Sequence, residues 1–489
     1  MNKYMIGIDQ STQGTKAMLF NEKGEMTARA DRPHKQYVDE KGWVEHDGIE
    51  IYDNTIAIVK EILQKSGVKE EEICGVGISN QRETAIAWDR KTGLPVFHAV
   101  VWQCNRGEAI CRRLDQGDFS RIIQEKTGLP LAPYYSDSKL AWIVENVPEA
   151  KALADKDELC CGTMDSYLLY RLTKGKSFKT DYSNASRTQL LNINTLTWDE
   201  DILKAFGLPL SAMPELTDSD GYFGETDFEG LFKKPVPIHA MLGDSHAALY
   251  GHGCFEKGMA KVTYGTGSSI MMNIGDVPLR NDKGLVTSVA FKVNGKLSYC
   301  LEGNINYSAA IVSWLKDDLK LICTPGESEA CAKAANPADR TYLVPAFTGL
   351  GAPYYRSDVS AAFIGMSRNT GKNELVKAGL EAIVYQITDI VKLCREAMGL
   401  SHIELRADGG ASGNAWLMQF QADILRDTVR VSSEGELSAK GAALACGRAL
   451  GVFPAEEQAG SAVSYTPEMD QTAAEEKYEG WKKAVSLLL

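Results

Sequence analysis

Three short segments of this chain combine hydroxyls and glycine, two of them behind a carboxylate, in spacings that suit phosphate chemistry. Asp9 closes an apolar run and is followed by Gln10, Ser11, Thr12, Gln13, Gly14, Thr15 and Lys16. A tip built of small residues lets backbone N–H groups and hydroxyls converge on an anion while the carboxylate holds its metal. A plain hairpin closed by an Asx turn is the competing reading. Tyr264, Gly265, Thr266, Gly267 and Ser268 repeat the plan, with two glycines for close approach and Thr266 for a hydroxyl. Asp408 through Asn414 reads Asp-Gly-Gly-Ala-Ser-Gly-Asn between an apparent strand and a helix. Gly410 and Asn414 would there combine backbone access with a positive helix end, against the plainer reading of a glycine-rich turn. Neither G-x-x-x-x-G-K-[ST] nor G-x-G-x-x-G occurs in that turn, so it is not a P-loop and dinucleotide binding is not supported.

The acceptor side is carried by other segments. Arg82 and Glu83 lie in a polar burst, residues 79–84, after a short apolar run; a fork of donors beside two acceptors can grip neighbouring hydroxyls of a polyol. A surface ion pair is the alternative. Trp102 could lay its indole face on an aliphatic carbon chain or be ordinary core. Asp244 follows the apolar run 236–242, where it would either accept the proton of an attacking hydroxyl or cap the next helix. His246 and His252 have no helical-face spacing and no third ligand, and are given no catalytic role.

Elements must hold these groups in place. The hairpin at residues 4–20 and its likeness at 261–275 stand about half a chain apart, which suggests two similar domains facing each other across a cleft. Between and after them helical stretches alternate with short β-like runs, as in α/β layers. The boundary is expected near residues 244–251, giving a first domain 1–250 and a second 251–489. After Pro454 the pattern reads as a short loop and a final amphipathic helix.

The whole chain agrees with this plan. Its 489 residues exceed a single core, and 44% hydrophobic with 24% charged residues excludes disorder, collagen and coiled coil. A net charge of −12 offers no field for nucleic acid or an anionic membrane. Eleven cysteines without a C-x-x-C pair suggest a reducing compartment, and no stretch approaches the ~18 apolar residues of a membrane span. Cytoplasmic residence is the expectation.

With these pieces laid out, the chain resembles the FGGY family of carbohydrate kinases along nearly its full length, nearest to the branch that acts on glycerol. The likeness rests on GIDQSTQGTKA, GWVEHD, ISNQRETAIAWDR, VVWQ, YYSDSKLAWIVEN, GTMDSYLLYRLT, DYSNASRT, GDSHAALYG, TYGTG, LVPAFTGLGAPYY, DGGASGNAWLMQFQADIL and AKGAA. It implies an α/β, two-domain actin/hexokinase-like (ribonuclease H-like) ATPase fold with an interdomain cleft. It implies ATP and Mg²⁺ as cofactors, with Gln10, Ser11, Thr12, Gln13, Gly14, Lys16, Gly265, Thr266, Gly410 and Asn414 at the nucleotide and Asp9 placing the metal. Arg82, Glu83, Trp102, Tyr134, Asp244, Ser245 and Ser269 would bind the polyol, with Asp244 as base. Phosphoryl transfer to a primary hydroxyl of a small polyol or sugar follows, with a pentulose or tetritol as alternative to glycerol and a non-catalytic ATP sensor as a remote one. A homodimer or homotetramer is expected.

This chain departs from the glycerol-acting pattern in three places. Ser11-Thr12-Gln13-Gly14 replaces Gly-Thr-Thr-Ser, Ser245 stands where a Gln is usual, and Ser269 takes the place of a Phe that packs on the substrate's carbons. The glycine-and-arginine loop of a bisphosphate-regulated relative is not visible in LFKKPVPI.

Overall fold

The computed structural model describes residues 2–280, 283–454 and 462–489. Two large sheets share one strand plan. The first contains β1 (Tyr4–Gln10), β2 (Gly14–Phe20), β3 (Met26–Pro33), β4 (Ile73–Asn80), β5 (Gly224–Thr226) and β6 (Val236–Gly243), in the order β5-β6-β4-β1-β2-β3. The second contains β7 (Met259–Tyr264), β8 (Ser268–Gly275), β9 (Val286–Val293), β10 (Lys296–Ile305), β11 (Glu404–Asp408), β12 (Thr428–Ser432) and β13 (Ala462–Tyr465), in the order β9-β10-β8-β7-β11-β12-β13. In each, an antiparallel hairpin (β1-β2 or β7-β8) is extended by parallel strands on the side of its first strand (β4 and β6, or β11 and β12). The two hairpins legible in the sequence are thus the same piece of two like sheets.

Parallel register brings strand ends to one edge. Gln10 is level with Asn80, and Asn80 with Gly243. The residues that follow, Ser11, Gln81-Arg82 and Asp244, therefore leave the sheet at the same edge, where open α/β sheets place their ligands. On the second sheet Thr263 is level with Asp408 and Ala407 with Val431. The glycine-rich turn after Asp408 consequently abuts the second hairpin: Gly409 has φ of 93°, and a Cβ there would lie 2.5 Å from the Tyr264 carbonyl oxygen.

Helices cover the faces. α1 (Gly48–Ser66) is capped by Asp47, whose side chain accepts from the Ile49 N–H, and stops at Gly67 in the left-handed region. α2 (Asp244–Gly251) continues directly from β6. In the second half come α3 (Lys372–Met398), α4 (Ala415–Leu425), α5 (Leu437–Ala449) and α6 (Gln471–Ser486). The final helix is α6; the loop expected after Pro454 lies outside the described residues.

One helix crosses between the halves. α5 comes late in the chain yet packs on β1, β4 and β6 of the first sheet and on α2. Small residues permit that approach: a Cβ on Gly77 would sit 2.1 Å from the Ala442 carbonyl oxygen, and one on Gly441 1.9 Å from that of Ala247. A buried apolar cluster of Met5, Leu242, Ala247, Ala439, Ala443 and Cys446 joins the two halves there. Among the described residues no helix is long and apolar enough to cross a membrane.

Candidate active site

Asp9 sits at the end of β1, buried, and accepts a hydrogen bond from Ser79 Oγ at 2.7 Å. Burial pushes its carboxyl from the ordinary 3.8 up to about 6, against the Ser79 bond and Lys16, while nearby Asp244 and Glu436 add repulsion. A folded-state value above the unfolded one means the native protein holds the proton more tightly. That stabilisation is complete below about pH 4 and is lost as pH rises toward 6. Asp9→Asn, which cannot ionise, should match the parent near pH 4 and exceed its unfolding free energy by up to about 3 kcal/mol at pH 7.5 without metal or nucleotide. Urea unfolding at the two pH values checks this; a pH-independent difference would contradict it.

The first hairpin tip closes tightly, Ser11 N–H and Oγ both donating to the Gly14 carbonyl at 2.9 and 3.0 Å. Gln10 is fully buried and accepts from Gln81 Nε2 at 3.1 Å, whereas Gln13 is exposed. Thr12 Oγ1 accepts from Trp102 Nε1 at 2.9 Å, and Trp102 packs against Tyr134 with ring centroids 5.7 Å apart. Lys16 Nζ is held 2.8 Å from Glu436 Oε2, a residue ahead of α5 with φ of 59° that also pairs with Arg29. The second tip is tied to the helix Ala309–Asp317: Ala309 N–H donates to the Gly265 carbonyl at 3.0 Å and Ser308 N–H to that of Thr266 at 2.9 Å. Asn414 caps α4 through Leu417 N–H, and beside it a Cβ on Gly410 would meet nothing within 4 Å.

Arg82 and Glu83 form neither a surface ion pair nor a hydrogen bond with each other. Arg82 reaches across to the second sheet, donating from Nη1 to Glu302 Oε2 at 2.9 Å and from Nη2 to Glu302 Oε1 at 2.7 Å, while its Nε lies 3.2 Å from Asp244 Oδ1. Glu83, with φ of 59°, accepts from Arg187 Nε at 2.6 Å, and Arg187 Nη1 lies 3.0 Å from Glu302 Oε2. The result is a line of alternating charge, Asp244, Arg82, Glu302, Arg187, Glu83, buried except at Asp244, whose side chain is 34% exposed. Burial would raise the Glu302 carboxyl, but Arg187 and Arg82 together hold it well below the usual range. Burial raises Glu83 instead, because Arg187 alone is bonded to it.

Other predicted positions also fall here. The Asp244 carboxylate accepts from the Ser245 N–H at 2.6 Å, and Ser269 Oγ lies 3.4 Å from Glu302 Oε1. His246 is fully buried behind Asp244; burial and then Arg82 keep it neutral, with Nε2 3.1 Å from Ser288 Oγ. Among the described residues no group of three or more His, Cys, Asp or Glu gathers to chelate a metal.

Comparison with known proteins finds likeness over nearly the whole chain. The model of the FGGY carbohydrate kinase N-terminal domain matches residues 4–251, and that of the C-terminal domain residues 260–450. The chain belongs to the FGGY family of carbohydrate kinases. It is 47% identical to glycerol kinase 1 of Thermotoga maritima, covering 99% of each chain, and 41% identical to a glycerol kinase of Francisella tularensis over 99% of this chain and 97% of that one. A solved Plasmodium falciparum glycerol kinase with ADP superposes with a TM-score of 0.94 at 34% identity, over 100% of this chain and 98% of that one. A ligand-bound xylulose kinase of Lactobacillus acidophilus has the same fold, with a TM-score of 0.87 at 21% identity, over 99% of this chain and 97% of that one. This FGGY kinase is therefore a phosphotransferase acting on an alcohol group, with the two-domain actin/hexokinase-like fold.

Within the FGGY frame, three residues escaped sequence reasoning. Arg187 stands in DYSNASRT, Glu302 inside the mostly apolar strand YCLEGNI, and Glu436 in a polar turn. Only Glu302 carried a signal, a carboxylate in a strand otherwise fit for burial. Arg187 is held in place through its neighbours: Asn80 and Asn184 exchange amide hydrogen bonds at 2.9 and 3.0 Å, fixing the short helix Tyr182–Ala185 to the end of β4.

Proposed function

We propose that this kinase transfers the γ-phosphoryl group of ATP to a primary hydroxyl of a small polyol, with Mg²⁺ bound alongside the phosphates and glycerol as the first candidate acceptor. The observation that carries this reading is the common sheet edge. There Asp9, the Ser11–Gly14 tip, Arg82 and Asp244 emerge together, and Asp244 keeps an exposed carboxylate while the rest of its charge line is buried. Likeness to glycerol kinases over the whole chain supports the acceptor.

ATP with Mg²⁺ supplies the activated phosphoryl group and neutralises its charge. The residues fit that cation. A buried carboxyl raised to about 6 and crowded by Asp244 and Glu436 gains from a nearby dication, and the absence of a chelating cluster among the described residues suits an ion that takes most oxygens from phosphate and water. The tips at Thr12 and Thr266 would receive phosphate oxygens, with Ser11 bracing the first through its two bonds to Gly14 and with Gly410 and Asn414 beside the nucleoside. Asp244 accepts the proton of the attacking hydroxyl, Arg82 and Glu83 orient the polyol, and Trp102 with Tyr134 shields its carbons. With this reading we also propose the division 1–250 and 251–489, supported by one large sheet in each range. The deciding experiment is ADP release over glycerol, erythritol, pentitols, pentuloses and dihydroxyacetone; turnover with none of them would defeat the proposal.

One observation favours a longer acceptor. Ser269 puts a hydroxymethyl beside Glu302 where a ring would close the pocket on three carbons. A four- or five-carbon substrate can fill that room and use the hydroxyl. Some longer polyol or ketose is expected to match or exceed glycerol in kcat/KM, and Ser269→Phe to move preference toward glycerol by ~1 to 3 kcal/mol. A parent enzyme that strongly prefers glycerol to every longer substrate would sink this idea.

A further inference from the structure

Glu302 lies on β10 of the second sheet, while Arg82 and Arg187 belong to the first half of the chain. Its side chain is wholly buried and both oxygens are used. Oε2 receives Arg82 Nη1 at 2.9 Å and faces Arg187 Nη1 at 3.0 Å; Oε1 receives Arg82 Nη2 at 2.7 Å and Asn304 Nδ2 at 3.3 Å, with Ser269 Oγ at 3.4 Å. A bidentate carboxylate fixes the plane of a guanidinium. With one N–H of each of Nη1 and Nη2 engaged, the side edge of Arg82 that carries Nε is turned to Asp244, 3.2 Å away. The same carboxylate is therefore bonded to the acceptor-side arginine and neighbours the wall residue Ser269 of its own sheet.

We propose that Glu302 is a positioning residue of the acceptor site: through Arg82 it sets the orientation of the hydroxyl-binding edge next to Asp244, and it does so only when the second sheet is docked on the first. The inference rests on the reading that Arg82 and Asp244 face the polyol. It predicts that Glu302 acts on polyol recognition through Arg82 and leaves nucleotide binding, built on other residues, nearly unchanged.

The test is steady-state kinetics on the full chain with glycerol and ATP varied separately, for Glu302→Gln, Arg82→Lys and the double variant. Glu302→Gln should lower kcat/KM for glycerol by about 10- to 100-fold, mainly through KM, the effect of losing a charged hydrogen-bond acceptor. KM for ATP should stay within about twofold, and the double variant should be within about threefold of Arg82→Lys alone, because both changes remove one coupled unit. Multiplied losses in the double variant, equal weakening of both substrates, or unchanged glycerol kinetics in Glu302→Gln would each overturn the inference. If Glu302→Gln does not fold, Glu302→Asp decides: it keeps the charge but is one methylene short, so KM for glycerol should rise while KM for ATP holds, and an unchanged glycerol KM overturns the proposal. Should Arg82→Lys itself leave glycerol kinetics untouched, the acceptor-site reading has failed first, and that result is distinct from a failure of Glu302 alone.

Discussion

Turnover by the Asp244→Asn variant is expected to fall by at least ~10²-fold while nucleotide binding persists, since general-base assistance contributes ~10²- to 10⁴-fold. The geometry explains why the loss should appear in kcat. Asp244 begins α2 at the end of β6, its carboxylate 3.2 Å from Arg82 Nε and bonded to its own neighbour's N–H, so its position is set by backbone and by a fixed guanidinium. Asparagine keeps the shape and the packing but cannot take the proton. Isothermal titration with ADP should show affinity within about threefold of the parent, while single-turnover phosphorylation of glycerol slows in step with kcat. Near-normal turnover would remove Asp244 from the chemistry; loss of ADP binding as well would make it a structural residue of the domain junction.

Much of this arrangement is legible from residue order alone, and the reason is local. A hairpin with a small polar tip, a carboxylate at a strand end and a glycine-rich turn before a capped helix are all made by neighbours in sequence, and Asp9, Thr266 and Asn414 stand where that reasoning puts them. Asp244 is a sharper case. From local sequence alone a helix cap is the likelier reading of it, yet in the structure Gly243 is the N-cap, with no side-chain cap bond, and Asp244 is the first residue of α2, aimed at Arg82.

What could not be read is whatever depends on sheet register and on the docking of the halves. Arg82 and Glu83 are adjacent in sequence, so an ion pair exposed at the surface is the simple local alternative. The left-handed turn at Glu83 sends the two to different partners, Glu302 and Arg187. The pairing of Lys16 with Glu436 joins residues more than 400 apart in the chain. α5 looks like a helix of the second half until the glycines at 7, 77 and 441 are seen to admit its backbone against the first sheet. Each of these is a long-range contact whose local sequence has a simpler explanation.

The buried charge line leads to the second large effect. Arg187 lies between Glu83 and Glu302 with 1% of its side chain exposed, and both carboxylates are themselves buried. Replacing it by methionine keeps volume but takes a charge partner from two buried acids, and breaking a buried pair by removing one partner costs about 3–5 kcal/mol. Arg187→Met should therefore lose about that much unfolding free energy at pH 8 by urea denaturation. Glu302 retains Arg82, so the orphan is Glu83, whose carboxyl burial already raises and which would lose its strongest opposing partner. A native carboxyl raised above its unfolded value gives stability that is present at low pH and lost as pH rises through the folded value. The deficit of the variant should accordingly shrink on going from pH 8 to pH 5, where Glu83 can take up a proton. Adding Glu83→Gln to Arg187→Met should recover part of the loss at pH 8 and remove most of its pH dependence, since a neutral amide needs no counter-charge. A deficit under about 1 kcal/mol, the range of exposed ion pairs, or one indifferent to pH and to Glu83→Gln, would mean that the interior of the cleft is wet enough to screen these charges, and the alternating line would then be geometry without energetic consequence.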